Sequence, residues 1–398
     1  MRTHDAIVIG GGPGGSTAAI ALAKRGWSVA VVEKAPFPRR KVCGEYLSPG
    51  GWEVLRAFDC AAALEALAGP PVSRVGLFAL DAVLEAPMPP ARADGTWGRA
   101  LGRETLDAML LDAARRAGVQ VLQPWSAQSM HWQGPDAVVA VAGAEETREL
   151  RAPLVVAAHG SWEHGGLPTQ PSRAIRRPGD YLGFKARFTN ARLAAGLMPL
   201  VLFPGGYGGL VESDGGRVSF SCCIRRDALA RLRARHRGMG AGDAVLAHAS
   251  ASARGLREAL DGAWREGAWL AAGPIRPGVR VRGVRGIIPV GNAAGEAHPL
   301  VAEGIGMAIQ SAWLLAAAVG PHAPEAFDRA RLDAVARDYA RAWRRQFAPR
   351  VHASRFFAAA TGRAMGASAA LLAAAPAMLG WAARRAGKAS TLAMPGRP

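Results

Sequence analysis

Acidic residues are scarce in this chain and then stop. It has 49 Lys and Arg against 31 Asp and Glu, a net charge of +18, and beyond Asp338 no Asp or Glu occurs. That acid-free stretch holds Arg341, Arg344, Arg345, Arg350, Arg355, Arg363, Arg384, Arg385, Lys388 and Arg397. Lysine is rare too, so the excess is almost all arginine. A solvated arginine surface accounts for the bias without a polyanionic partner, and no nucleic-acid contact is expected. The C-terminal clustering is what an anionic membrane surface or an acidic carrier protein would attract. Cysteine is nearly absent. Cys43, Cys60, Cys222 and Cys223 have neither zinc-site spacing nor the density of a disulfide scaffold. No metal is expected. No secretory signal precedes the first apolar strand, so a reduced cytoplasmic protein, with or without membrane association, is expected. Ala364–Ala383 carries no charge and has the length of a bilayer span, but its alanines, glycines and Pro376 suit two short helices better.

What is present begins at once. Ala6-Ile7-Val8-Ile9 reads as a buried strand and Ser16–Lys24 as a helix, with Gly10-Gly11-Gly12-Pro13-Gly14-Gly15 between them. Val29–Val32 is a second strand, ending on Glu33. Strand, glycine turn, helix, strand and acid in this order form a dinucleotide-binding unit. Gly10 permits the tight turn, Gly12 the approach of backbone to pyrophosphate, and Gly15 close packing of helix on sheet. The helix start, with Pro13 and Gly14, offers amides and positive dipole to phosphate. Glu33 is placed to accept from a ribose.

Further along, Ala100–Ala117 reads as a helix led by Arg103, followed by a strand at 119–122. Ala137–Val141 and Thr147–Leu150 read as a hairpin, and Leu154–Ala158 as a buried strand running into His159-Gly160. From Tyr181 the pattern changes to alternating strands at 181–188, 198–203, 209–213 and 217–224, and then to Arg-rich helices. In the last of these strands Val218, Phe220, Cys222 and Ile224 share one face, and Ser219, Ser221 and Cys223 the other. A buried strand at 286–290 enters Gly291-Asn292-Ala293-Ala294-Gly295, and a helix follows from Gly304 to Val319.

This layout resembles the p-hydroxybenzoate hydroxylase-type FAD enzymes, and most of all their geranylgeranyl reductase-like branch. The resemblance rests on the glycine turn with Glu33, on Arg40-Lys41-Val42-Cys43-Gly44-Glu45-Tyr46, and on Gly291-Asn292 with Pro299 and Glu303-Gly304-Ile305-Gly306. It implies an α/β fold with a Rossmann-type FAD-binding domain of discontinuous segments (1–71, 100–180 and 281–320). An antiparallel β-sheet substrate domain (72–99 and 181–280) would be inserted in it, and a basic helical region (321–398) would follow. It also implies FAD contacts from Lys34, Lys41, Cys43, Gly44, Arg103, Gly291, Asn292, Gly304, Ile305 and Gly306. Two departures stand out: Asn292 replaces the family's Asp, keeping an acceptor oxygen but losing charge. His159 replaces the acid of the Asp-Gly motif, which leaves NAD(P)H as reductant in question. The lack of a Trp-x-Trp-x-Ile-Pro segment argues against halogenation.

The flavin would do the hard step while the protein orients the substrate. The favoured expectation is a monooxygenase acting on an aromatic or lipid-like secondary metabolite, free or carrier-bound, with His298 as a base titrating near neutrality. The alternative is a C=C reductase or dehydrogenase in which Cys43 or Tyr46 supplies the proton. A non-catalytic electron-transfer subunit is a third.

Overall fold

The computed structural model describes residues 2–92, 95–161, 164–170, 176–282, 286–363 and 377–388. The charge-free run therefore lies outside the described residues as far as Pro376. The short apolar runs pair as a five-stranded parallel sheet in the order Ile287–Pro289, Leu154–Ala157, Ala6–Ile9, Val29–Val32, Gln120–Leu122. The three central strands are near-continuous apolar segments, as a sheet covered on both faces requires. On one face Val8 and Val31 pack with Ile20 of helix Pro13–Ala23, Leu110 of helix Arg103–Arg116 and Ile309 of helix Gly304–Val319. On the other, Ile7, Ile9 and Val32 pack with Val139, Val141 and Leu150.

Those last residues belong to a three-stranded antiparallel sheet, Ser126–Gln133, Asp136–Ala142 and Thr147–Ala152. The expected hairpin is thus two strands of three. The missed strand, Ser-Ala-Gln-Ser-Met-His-Trp-Gln, is half exposed and polar, so hydropathy does not mark it.

A seven-stranded sheet runs Trp264–Ile275, Tyr181–Thr189, Val218–Arg225, Gly206–Glu212, Leu197–Phe203, Arg74–Ala79, Ala82–Pro87. It is antiparallel except where Leu197–Phe203 runs parallel to Arg74–Ala79. The alternation in Val218–Arg225 has the expected consequence. Val218, Phe220, Cys222 and Ile224 pack under Leu229, Leu232 and Val245 of the following helices. Cys223 joins Tyr207, Leu202 and Leu77 on the opposite face, from which the Ser221 hydroxyl donates to the Cys43 carbonyl at 2.9 Å. This second face is turned toward the nucleotide-binding sheet. The 35-residue helix Arg329–Arg363 and the short helix Ala377–Arg385 complete the described chain. Among the described residues no helix is long and apolar enough to cross a membrane.

Candidate functional site

The glycine turn is built by backbone contact. Gly10 has φ +110°, and a Cβ there would lie 2.6 Å from the Ala158 carbonyl oxygen. A Cβ on Gly15 would lie 1.8 Å from the Gly10 oxygen. Neither position admits a side chain without moving the backbone. The turn thereby aims the start of helix Pro13–Ala23 into a cavity of about 350 Å³.

Glu33 is buried at the end of its strand. It accepts from the amides of Gly11 and Ala35, both at 2.8 Å, and from both Arg39 Nη atoms at 2.9 and 3.3 Å. A carboxylate has about four acceptor positions, so ribose hydroxyls would share these oxygens with Arg39. Arg39 has no counterpart in the sequence-level site. Its Nη2 and that of Arg103 would lie 3.9 and 3.7 Å from a Cβ on Gly12, so two guanidinium groups flank the turn where a pyrophosphate needs neutralising. Arg103 is held by a bidentate pair with Asp107, 2.7 Å at each oxygen. Burial opposes its charge, but Asp107 and Cys43 outweigh that and raise its pKa.

The cavity is lined by Gly10, Gly12, Pro13, Gly14, Glu33 and Lys34 from the first βαβ unit. Lys41, Cys43 and Arg103 line its middle, and Gly291, Asn292, Gly304 and Ile305 close it. Gly15, Gly44 and Gly306 are absent from its wall. Gly15 serves the packing expected of it, Gly306 packs against the Ser48 hydroxyl, and Gly44 faces open space. His159 lines the cavity with its ring between the Gly160 carbonyl (2.8 Å) and the Thr169 hydroxyl (2.9 Å). Asn292 lies beside Glu296, its amide 3.5 Å from Oε1.

The loop carrying Cys43 is fastened from beneath. Glu45 is wholly buried, with φ +61°. Its carboxylate meets Lys185 and, at 2.6 Å, Arg187 Nη2. Burial alone would raise the Glu45 pKa, yet the two cations bring it down to about 2. Arg187 also pairs with Glu104 at 2.7 Å. Lys185 and Arg187 stand two apart on strand Tyr181–Thr189 and so share a face. Two cations at that spacing in an apolar strand were the available signal, which the sequence reading missed.

Two expected catalytic residues are not at the cavity. The Tyr46 hydroxyl is buried without a hydrogen-bond partner, and burial, then Glu303, raises its pKa. His298 lies under the seven-stranded sheet, its Nδ1 2.8 Å from the Tyr207 hydroxyl and its ring edge-on to Tyr181. Burial lowers its pKa to about 4, so it does not titrate near neutrality as expected. The C-terminal basic residues are also partly turned inward: Arg350 and Lys388 both face the buried Glu303.

A glycine cradle, a helix start, two arginines and a ribose-side acid around one elongated cavity fit FAD, and the chain is an FAD-binding flavoprotein. Residues 3–165 match the family described as FAD binding domain. The chain carries this p-hydroxybenzoate hydroxylase-type domain and has geranylgeranyl reductase-like homologues. The digeranylgeranylglycerophospholipid reductase of Thermoplasma acidophilum is 32% identical over 162 residues, 40% of this chain and 40% of that protein. The menaquinone reductase of Mycobacterium tuberculosis is 29% identical over 153 residues, 38% of this chain and 37% of that one. The matches thus span about two-fifths of these relatives. Among solved structures, the myxobacterial chondrochloren halogenase aligns with TM-score 0.74 at 22% identity, covering 87% of this chain and 80% of that one. At that identity the likeness speaks for the fold alone.

Proposed function

We propose that this flavoprotein is an oxidoreductase that reduces a C=C bond of an apolar, isoprenoid-like substrate. The observation that carries the reading is Cys43, which lines the cavity while His298 and Tyr46 do not. Held in this cavity, reduced FAD would supply the hydride for one alkene carbon, and the Cys43 thiol would hold the proton for the other. The Glu45 amide lies 3.4 Å from Cys43 Sγ, and the Arg103 guanidinium lines the cavity with Cys43. Both donors are placed to take up negative charge left on sulfur. Lys185 and Arg187 hold the loop through Glu45 and exclude water beneath it. The partial matches to reductases of isoprenoid lipids support the substrate class.

Hydroxylation, the reading favoured from sequence, is the second. Its support is the buried His298 Nε2, which has no hydrogen-bond partner beside Tyr181 and Tyr207. With the His298 pKa lowered to about 4, the imidazole is a weak base at neutral pH. The deciding experiment supplies chemically reduced, FAD-loaded protein with a polyprenyl lipid under strict anaerobiosis. A product heavier by two hydrogens, lost in Cys43→Ser while FAD stays bound, is expected. A product heavier by one oxygen, formed only in air and indifferent to Cys43→Ser, would overturn the reduction reading.

A further inference from the structure

The face of the seven-stranded sheet that carries Tyr207 and Cys223 is covered in part, at one edge, by residues 377–388. Helix Ala377–Arg385 packs on strands Arg74–Ala79 and Ala82–Pro87. Its Leu379 and Ala383, each 8% exposed, join one apolar cluster with Tyr46, Leu202 and Tyr207. Three residues past the helix, Lys388 is buried. Its Nζ sits 4.1 Å from the centroid of the Tyr46 ring, 3.4 Å from the Ala302 carbonyl and 3.9 Å from Glu303 Oε1. Ala302 and Glu303 lead directly into Gly304 and Ile305, which line the FAD cavity. The C-terminal segment therefore reaches from the edge of the sheet to the wall of the cofactor site.

Polar groups around this docking are poorly satisfied: the Tyr46 hydroxyl, whose ring lies under Lys388, and Glu303 Oε1, 3.9 Å from Lys388 Nζ, are buried without a hydrogen-bond partner. Burying such an atom unpaired is costly. The helix leaves Trp381 52% exposed. A ligand that replaced Leu379 and Ala383 with its own apolar body, and brought a hydroxyl to the orphaned groups, would compete well for the space.

We propose that residues 377–388 are a displaceable plug in the apolar substrate chamber, expelled by an elongated apolar molecule with one polar end. The proposal takes this sheet face as the substrate face, because Ser221 reaches from it to the Cys43 loop that lines the cavity, and it holds for reduction and hydroxylation alike. It explains why Tyr207 and His298 lie in packed core rather than lining a cavity.

The test is hydrogen exchange on the full-length, FAD-loaded protein with and without farnesol, a prenyl alcohol. Farnesol should lower protection at 377–388 and leave strand Tyr181–Thr189 protected. A variant ending at Pro376 should bind farnesol about tenfold more tightly, as when the plug closes roughly nine molecules in ten. Lys388→Ala keeps the whole chain; it should lower protection at 377–388 without farnesol and raise quenching of flavin fluorescence by iodide. Protection at 377–388 that is unchanged by farnesol would overturn the proposal. So would farnesol binding that is no tighter after truncation, or unaltered protection and quenching in Lys388→Ala. None of these readouts uses turnover, so failure here is distinct from failure of the proposed reaction.

Discussion

Replacing His298 with Asn should remove a defined share of the acid sensitivity of the fold. The imidazole is 4% exposed among Tyr181, Tyr207 and the turn at Pro299. Burial lowers its pKa from the ordinary 6.5 to about 4. Below pH 6.5 the unfolded chain takes up a proton that the folded chain refuses until about pH 4, so stability falls as pH drops through that window. The difference between the two values corresponds to about 3 kcal/mol. Asn at 298 keeps a polar atom within reach of the Tyr207 hydroxyl and does not titrate. It should cost about 1 kcal/mol at neutral pH for a poorer hydrogen bond, and the gap to wild type should then close and reverse on acidification. Urea unfolding of both proteins at steps between pH 7 and 4 gives the two curves. A gap that stays constant across the range would refute the burial argument. So would an imidazole proton resonance of His298 that titrates near 6.5. The same reasoning removes His298 as the source of any ionisation near neutrality in a rate profile.

Arg103→Met would leave Asp107, which is 0% exposed, with Arg39 at 3.8 Å as its nearest cation. A loss of about 3–5 kcal/mol in unfolding free energy is expected, together with weaker FAD retention on gel filtration. Gly15→Ala places a Cβ 1.8 Å from the Gly10 oxygen, so the variant should purify without flavin colour; normal flavin content would contradict the turn geometry. His159→Asp restores an acid where His159 now bridges Gly160 and Thr169. FAD should stay bound and anaerobic reduction by NADPH should quicken; equal rates in stopped flow would show that the imidazole is no impediment.

The cofactor half of the site was legible because its signals are local. A tight turn needs Gly10, close helix–sheet packing needs Gly15, and an acid ending the second strand marks the ribose side. All of these lie within one βαβ unit, where chain order is spatial order. The helix Gly304–Val319 was likewise readable, and the two faces of Val218–Arg225 followed from its alternation. Less was legible where pairing is remote. The strand Ser126–Gln133 is polar because it lies at an exposed edge. The parallel pairing of Leu197–Phe203 with Arg74–Ala79 joins segments more than a hundred residues apart.

The sequence by itself determined that this chain builds a dinucleotide cradle, because those demands fall on backbone conformation and on neighbours in the chain; FAD followed from the family resemblance of its motifs. Only the tertiary structure decided which charged side chains meet. Arg39 shares Glu33 with the ribose side, Lys185 and Arg187 anchor the Cys43 loop through Glu45, and Lys388 comes back to Glu303. It also decided that His298 is buried and neutral while Cys43 borders the cavity. The reason is physical: desolvation and ion pairing depend on what surrounds a group from every direction. A sequence records only the neighbours along one.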